Sequence, residues 1–276
     1  MTRRPRGRRA RPRAKKSLGQ NFLVDPNLQR RIVEHFAPAP DDLVLEIGPG
    51  RRALTDHLVG RCAHLYLVEL DDDLAADLSR HFEERQDVTV IHADILDVDP
   101  GALTAEPDRL RVIGNIPYNI TAPLLFHLLR RPRPRDALLM VQKEVAERLT
   151  AAPGGGDFGA LTVGVRAVAD VEPVMRVPPG AFRPVPAVES AVVHVRPHDP
   201  PRLSEAEEEA LRRLTRALFQ WRRKQLSRIL RDHPDLRVAP AVLEELARET
   251  GWDLRRRPET FAPDDLLALA RWLSER

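Results

Sequence analysis

The sequence has little cysteine, little lysine and no long apolar run. Cys62 is the single cysteine among 276 residues, so neither an internal disulfide nor a multi-thiolate zinc site can form, and a reducing cytoplasm is indicated. No apolar stretch approaches the roughly 20 residues of a membrane span, and the N-terminus has no apolar segment of the signal-peptide kind. With 42% hydrophobic residues the chain can still bury one large core and a smaller one.

Positive charge is concentrated at the N-terminus. Residues 1–16 contain seven Arg and two Lys without any acid, whereas the remainder has 35 basic and 41 acidic side chains. Because this leader has almost nothing apolar to bury, we predict that it is disordered and that it binds a polyanion such as RNA. A mitochondrial presequence is the rival interpretation, although the segment lacks an amphipathic apolar face. The arginines can also reflect composition alone, since the whole chain has four lysines.

Strand and helix signals alternate after the leader. Asp25 and Pro26 predict the start of a helix that continues to Phe36. Short runs rich in Val, Ile and Leu predict strands at Leu43 to Ile47, His64 to Leu70, Val88 to Ala93, Leu110 to Gly114, Ala137 to Gln142, Val171 to Val177 and Ala191 to Val195. A helix is predicted over Glu144 to Thr150, followed by a loop at residues 154–156. This alternation is typical of a doubly wound, mostly parallel sheet.

The pattern changes near residue 199. Ser204 and Glu207 form a capping box that opens a helix, and leucines recur at helical spacing from there to Leu273. We therefore predict a basic leader at 1–16, an α/β domain at 17–198 and a small helical domain at 199–276.

Glycines and acids follow the first three predicted strands. Gly48 and Gly50 follow the first strand, Glu69 lies at the end of the second, and Asp94 follows the third. In such folds a glycine turn lets the backbone approach a ligand, and an acid about 20 residues later accepts bonds from ribose hydroxyls. The set predicts an adenosine pocket. A tight turn without a ligand and a dinucleotide site of the G-x-G-x-x-A kind are the alternatives.

The fourth strand is followed by Asn115-Ile116-Pro117-Tyr118, a sequence suited to chemistry on a planar amino group. An Asn amide and a backbone carbonyl can accept both hydrogens of an exocyclic amine, while a Tyr ring stacks on the base. Taken alone, the tetrapeptide is equally compatible with an ordinary strand-ending turn. Its place after a glycine turn and two acids favours the chemical interpretation.

Further segments complete a family pattern. They are Lys16 to Leu23 (KSLGQNFL), Gln142 to Val145 (QKEV), Val177 to Pro179 (VPP), Phe182 to Pro186 (FRPVP), Glu189 to Val193 (ESAVV) and Arg222 to Leu226 (RRKQL). With the glycine turn and the tetrapeptide, the chain resembles the KsgA-type small-subunit ribosomal RNA adenine dimethyltransferases from about residue 15 to its C-terminus. The resemblance implies a Rossmann-like fold with a mostly parallel seven-stranded sheet and a small all-helical C-terminal domain.

The resemblance also implies site residues. S-adenosylmethionine would be the cofactor, and the positions that contact it would be Asn21, Leu23, Gly48, Glu69, Asp94 and Asn115. Asn115, Pro117 and Tyr118 would hold the target adenine, and Phe182 would support the flipped base from the other side. From the residues alone, Phe182 before Arg183-Pro184 is better explained as a core aromatic that anchors a rigid loop.

The implied activity is dimethylation of two adjacent adenosines in a hairpin loop near the 3′ end of 16S ribosomal RNA. The partner would be an assembling small subunit in the cytoplasm, and the enzyme would act as a monomer without a metal ion. An adenosine must leave its stack to react, and this costs least in a loop. Arginines of the leader and of residues 212–231 would hold RNA phosphates, unless they form only a solvated helix face.

One departure from the family pattern affects the pocket. Arg51 and Arg52 follow Gly50 where relatives usually have small residues, so they either crowd the methionine end of the pocket or point outward toward RNA phosphate. Three other functions stay open at this point, and these arginines motivate the second of them. They are a resistance methylase acting on large-subunit ribosomal RNA, a non-catalytic RNA-binding assembly or transcription factor, and a nicotinamide-dependent oxidoreductase.

Overall fold

A computed structural model describes residues 20–275, so the basic leader lies outside the described residues. The strands in this range are β1 (Phe22–Leu23), β2 (Leu43–Ile47), β3 (His64–Glu69), β4 (Val88–His92), β5 (Leu110–Asn115), β6 (Asp136–Gln142), β7 (Ala169–Val177), β8 (Phe182–Arg183) and β9 (Ser190–Pro197). All seven predicted strands are present. The two-residue strands β1 and β8 were not predicted.

The helices are α1 (Pro26–Phe36), α2 (Thr55–Leu58), α3 (Asp72–His81), α4 (Thr121–Leu128), α5 (Lys143–Thr150), α6 (Ala160–Arg166), α7 (Glu205–Gln220), α8 (Leu226–Asp232), α9 (Pro240–Thr250) and α10 (Pro263–Ser274). The predicted start of α1 is confirmed, because the Asp25 carboxylate accepts hydrogen bonds from the amides of Asn27 and Leu28. The predicted capping box of α7 is also confirmed, since Ser204 and Glu207 bond reciprocally. Within residues 20–275, no helix is long and apolar enough to cross a membrane.

Seven strands form one mixed sheet in the order β4-β3-β2-β5-β6-β9-β7. The five neighbouring strands β4, β3, β2, β5 and β6 run parallel to one another, whereas β9 is antiparallel to both β6 and β7. The predicted doubly wound, mostly parallel sheet is therefore confirmed. Because β2, β3, β4 and β5 are parallel neighbours, their carboxyl ends lie along one edge, which brings the four predicted strand-end motifs together.

The sheet is buried on both faces. Val44, Leu65 and Ile113 belong to one core cluster, and Leu45 and Val112 belong to the other. Such burial explains why the central strands have continuous apolar sequences rather than alternating ones. The cluster that contains Leu45 and Val112 extends into the C-terminal helices, where it includes Leu211 and Leu214 of α7. Helix α7 packs on α6 and α10. From Glu205 onward the described residues form helices without strands, and the boundary near residue 199 stays a prediction.

An ion-pair network crosses the sheet at the end opposite to these motifs. Arg111 of β5 donates to both carboxylate oxygens of Asp136 at 2.8 Å and to Asp42 at 2.9 Å. His194 of β9 bonds Asp136 at 2.8 Å through Nε2, and all four side chains are buried. The network therefore joins strands β5, β6 and β9 to the loop before β2.

Candidate active site

A cavity lies at the carboxyl ends of the central strands. The predicted site residues that line it are Asn21, Gly48, Glu69, Asp94, Asn115, Pro117 and Tyr118. The cavity walls also include Gly50 of the predicted glycine turn. Residues for which no individual role was predicted complete the walls, namely Gln20, Phe22, Ile47, Val68, Leu70, Leu74, Ala93, Ile95, Ile116 and Ile120. These added residues are mostly apolar, so the site combines a few polar groups with a hydrophobic wall, as expected of a small-molecule pocket.

The turn after β2 can accommodate only glycine at position 50, because of its backbone conformation and its contact with Phe22. Gly48 and Gly50 have φ values of +63° and +54°, a region that side-chain-bearing residues rarely adopt. A Cβ atom on Gly50 would lie 3.1 Å from the Phe22 ring. The Gly50 amide donates to Glu69 Oε2 at 3.0 Å. The turn is thus held against the end of β3 and against the segment at residues 20–22. The backbone of the turn faces the cavity.

Glu69 is held at the end of β3 by backbone donors. Besides Gly50, the Asp71 amide donates to Oε1 at 2.9 Å, and Glu69 as a whole residue is 5% exposed. Burial raises the pKa of Glu69, and the hydrogen bonds from Asp71 and Gly50 oppose this rise without cancelling it. An acid so placed can accept hydrogen bonds from ligand hydroxyls, which would also relieve its desolvation.

A second buried acid lies just before the glycine turn. Glu46 is the penultimate residue of β2 and is 2% exposed. Burial raises its pKa to about 8, with smaller contributions from the negative charges of Asp56 and Glu69. At neutral pH Glu46 is therefore mostly uncharged, and it adds little negative charge beside Glu69.

Asp94 has one oxygen engaged in local structure. Its Oδ1 accepts from the Leu96 amide at 2.9 Å and caps the following turn. Within residues 20–275 its Oδ2 has no hydrogen-bond partner, and the residue lines the cavity. This second oxygen is available to accept from an amino group such as that of an adenine ring.

The orientation of the Asn115 amide is fixed from across the cavity. Its Nδ2 donates to the carbonyl oxygen of Asn21 at 2.9 Å, although the two residues are 94 positions apart. An amide nitrogen only donates, so this bond fixes which side of the amide faces Asn21, and Oδ1 is the atom that can accept a hydrogen bond from a ligand. The close contact of β5 with β2 depends on Gly114, where a Cβ atom would lie 2.7 Å from the Ile47 carbonyl oxygen.

Tyr118 is anchored through its hydroxyl group. The hydroxyl shares a hydrogen bond of 2.9 Å with Ser190 Oγ, and Ser190 is fully buried at the start of β9. The half-buried ring lines the cavity beside Pro117. Such an anchor restricts the ring to one position, as a stacking platform for a planar base requires.

Leu23 and Phe182 are not among the residues that line the cavity. They pair with each other in the β1–β8 ribbon, and both are buried in the same core cluster. Phe182 is 0% exposed. Their contacts with cofactor and target base thus stay predictions, and a Phe182–base contact requires the ribbon to move.

Neither arginine of the glycine turn lines the cavity. The Arg51 guanidinium lies over the Phe22 ring, 4.3 Å from its centroid. Arg52 has a φ of +67° and its Nε lies 3.8 Å from the Asp56 carboxylate. Since Phe22 is itself a cavity wall, Arg51 supports the pocket from outside through a cation–π contact.

We expect Arg51→Ala to weaken binding of S-adenosylmethionine about two- to fivefold, because a partly exposed cation–π contact contributes about 0.5–1 kcal/mol. Titration calorimetry would measure the change. Arg52→Ala is the matched control, since it removes the same charge from the adjacent residue without touching Phe22. Tighter binding by Arg51→Ala would contradict this expectation and would mean that Arg51 crowds the pocket.

Comparisons with known proteins agree with these features. The family model for ribosomal RNA adenine dimethylase matches residues 11–245. A Geobacter metallireducens protein called ribosomal RNA small subunit methyltransferase A is 42% identical over 94% of this chain and 95% of its own length. A protein of the same name from Aromatoleum aromaticum is 40% identical over 96% of each chain.

Two solved structures are similar over most of the chain. A dimethyladenosine transferase from Plasmodium falciparum has a TM-score of 0.72 at 24% identity and covers 92% of this chain and 98% of its own. The 23S rRNA methyltransferase ErmE has a TM-score of 0.67 at 29% identity, with coverages of 92% and 100%.

Proposed function

The chain belongs to the ribosomal RNA adenine dimethylase family, and we propose that it dimethylates adenine amino groups of small-subunit ribosomal RNA, with S-adenosylmethionine as methyl donor. The observation that carries the chemistry is the Asn115 amide at the cavity, whose orientation is fixed by the bond from Nδ2 to the Asn21 carbonyl and whose acceptor is Oδ1. The small-subunit substrate rests on the names of relatives that are 40–42% identical over nearly the full chain.

The donor set fits the adenosine portion of the proposed cofactor. Glu69 offers a carboxylate to the ribose hydroxyls, and Asp94 Oδ2 offers an acceptor to the adenine amino group. Gly50 presents its backbone to the cavity, and a Cβ atom there would lie 3.1 Å from the Phe22 ring in the cavity wall. The bound cofactor supplies a methyl group activated on a sulfonium. The chain's own contribution is to bind it, to exclude water and to orient the target amine.

The target amine is a poor nucleophile because its lone pair is delocalised into the ring. Accepting both of its hydrogens favours a pyramidal nitrogen and directs the lone pair toward the methyl group, so rate enhancement comes from positioning and electrostatics. Asn115 Oδ1 is one acceptor. The Pro117 carbonyl already accepts from the Ile120 amide at 3.2 Å and from Thr121 Oγ1 at 3.4 Å, which favours the Ile116 carbonyl as the second acceptor.

RNA would be held by basic side chains outside the cavity. A cleft at the turn between α7 and α8 is lined by Arg222, Arg223, Lys224 and Arg228, together with Asp232. Three arginines of residues 212–231 pair with nearby acids, since Arg212 bonds Glu209, Arg228 lies 3.7 Å from Asp232 and Arg231 bonds Asp232. We expect the enzyme to act as a monomer in the cytoplasm, where its ribosomal substrate assembles.

The proposal is tested by transfer of labelled methyl from S-adenosylmethionine to small ribosomal subunits that lack adenine methylation. Large subunits are assayed in parallel, because the similarity to ErmE makes a large-subunit substrate the second candidate. Dimethyladenosine near the 3′ end of small-subunit ribosomal RNA is the expected product. Transfer to large subunits alone would favour the second candidate, and no transfer despite RNA binding would favour a binding protein.

We expect removal of residues 1–14 to weaken RNA binding most strongly at low salt. The segment contains seven arginines. The salt slope is the fall of the logarithm of the association constant with the logarithm of the salt concentration, and each arginine that neutralises a phosphate should add about 0.7–0.9 to it. Filter binding to small subunits at several salt concentrations measures this slope, which should be shallower for the truncated protein. If truncation leaves the slope unchanged, the leader does not bind RNA.

A further inference from the structure

A groove between α4 and α7 has an aromatic floor and a basic rim. Phe126 of α4 and Phe219 of α7 are half-buried at its floor, and it is lined by Arg130, which follows α4, and by Arg212 and Arg216 of α7. None of the described residues that line the groove is acidic. We call this surface the α4–α7 groove.

The cations of the groove are available to a ligand. Arg130 and Arg216 are exposed, and neither pairs with a carboxylate among residues 20–275. In the described part of the chain Arg212 pairs only with the exposed Glu209, at 3.1 Å, and such surface pairs are weak. The α7 arginines are therefore not equivalent, because Arg213 is exposed and does not line the groove.

The two rings of the floor are fixed by buried neighbours. Phe219 packs edge-on against Phe158, with 6.1 Å between ring centroids, and Phe158 is 0% exposed. Phe126 lies so close to α6 that a Cβ atom on Gly164 would be 2.7 Å from its Cε1 atom. Rigid, partly exposed rings beside unpaired guanidinium groups form the usual surface for single-stranded nucleic acid.

We propose that the α4–α7 groove binds a single-stranded segment of ribosomal RNA that flanks the target adenosine. Bases would stack on Phe126 and Phe219, and Arg130 and Arg216 would contact phosphates. The inference rests on the proposed function, because α4 begins three residues after Tyr118 and thereby connects the groove to the catalytic loop. Phe126 lies five residues along this helix, about 7.5 Å of rise.

The first test removes charge from the groove. The variant Arg130→Ala/Arg216→Ala is compared with Arg31→Ala/Arg61→Ala, which removes two exposed arginines that do not line the groove. The probe is a fluorescein-labelled single-stranded RNA of 12 nucleotides, titrated without cofactor at several salt concentrations. The groove variant should bind at least tenfold more weakly at low salt, with a salt slope reduced by about 1.4. Equal binding by the two variants would overturn the proposal.

The second test isolates base stacking. Phe219→Leu keeps an apolar side chain but removes the aromatic face, so it should weaken binding about tenfold without changing the salt slope. An abasic 12-nucleotide probe keeps the phosphates and should bind wild type and Phe219→Leu equally. Thermal unfolding of each variant establishes that it is folded. Undiminished affinity of Phe219→Leu for the normal probe would overturn the stacking role.

These measurements separate the groove from the catalytic proposal. Oligonucleotide binding needs no methyl transfer, so weaker binding by the groove variant supports the groove even if wild type does not methylate small subunits. Conversely, if wild type methylates small subunits but both charge variants bind the 12-nucleotide RNA equally well, the groove proposal is overturned and the catalytic proposal stands. Failure of wild type to bind the 12-nucleotide probe would also overturn it.

Discussion

Replacing Asn115 with alanine should reduce methyl transfer at least about 100-fold at saturating cofactor, because it removes an acceptor that acts on the target amine as its nitrogen becomes pyramidal. RNA binding should be nearly unchanged, since the basic groups proposed to hold phosphates lie on the leader, at Arg130 and on α7, α8 and their connecting turn, and none of those among residues 20–275 lines the cavity. The measurement is single-turnover transfer of labelled methyl to small subunits, alongside filter binding of the same subunits.

Two variants make this result specific. Asn119→Ala changes the same residue type four positions later, at an exposed site that does not line the cavity, and should retain transfer. Asn115→Asp keeps an oxygen acceptor but loses the Nδ2 donor to Asn21, so it should retain part of the rate and bind cofactor more weakly. Normal turnover by Asn115→Ala would exclude the proposed role of the amide.

The strand-end motifs could be predicted because each depends on local sequence. Runs of Val, Ile and Leu identify buried parallel strands, and in a parallel sheet their carboxyl ends must lie along one edge. Gly48, Glu69, Asp94 and Asn115 therefore met at one cavity as expected. The Asn21 carbonyl could not be identified as the anchor of Asn115, because any residue offers a carbonyl and the two residues are 94 positions apart.

The residues alone favoured a core aromatic at Phe182, and the structure buries its side chain fully. The ribbon that holds it could not be predicted, because it pairs only two residues on each side, too few for a periodic signal. The role of Arg51 could not be predicted, because arginine is abundant throughout the chain. Its contact with Phe22 also depends on how the segment before α1 crosses the glycine turn. Both features arise from tertiary contacts between distant segments.

The buried network around Arg111 was another feature that composition could not indicate. Burial raises the pKa of Asp136, but hydrogen bonds from His194 and Arg111 outweigh this effect and lower it to about 2. Burial likewise raises the pKa of Asp42, and the bonds from the Ala39 amide and Arg111 lower it overall. Arg111 is thus the cation common to two buried carboxylates.

We expect Arg111→Met to lower the free energy of unfolding by about 3–5 kcal/mol at pH 7, because it leaves two buried carboxylates without their shared partner. Methionine keeps most of the apolar stem, so the change reports on charge and hydrogen bonds more than on packing. Arg135→Met is the matched control. Arg135 also bonds Asp42 at 2.9 Å, but its side chain is 50% exposed, so its removal should cost about 1 kcal/mol or less.

The pH dependence distinguishes charge from packing. In wild type the folded pKa of Asp136 is lowered from 3.8 to about 2, so its contribution is present above pH 4 and is lost as the pH falls toward 2. Without Arg111 the bonds from His194 and from the Ala39 amide remain, but Asp136 and Asp42 each lose an ion pair that favours the charged carboxylate, so their folded pKa values rise relative to wild type. The stability that Arg111 provides is therefore present at neutral pH and is lost as the pH falls and the two carboxylates become protonated. Urea unfolding should show a smaller difference between wild type and variant at pH 3 than at pH 7. A difference independent of pH would mean that Arg111 stabilises the sheet by packing over the Phe36 ring, which lies 4.2 Å from its guanidinium.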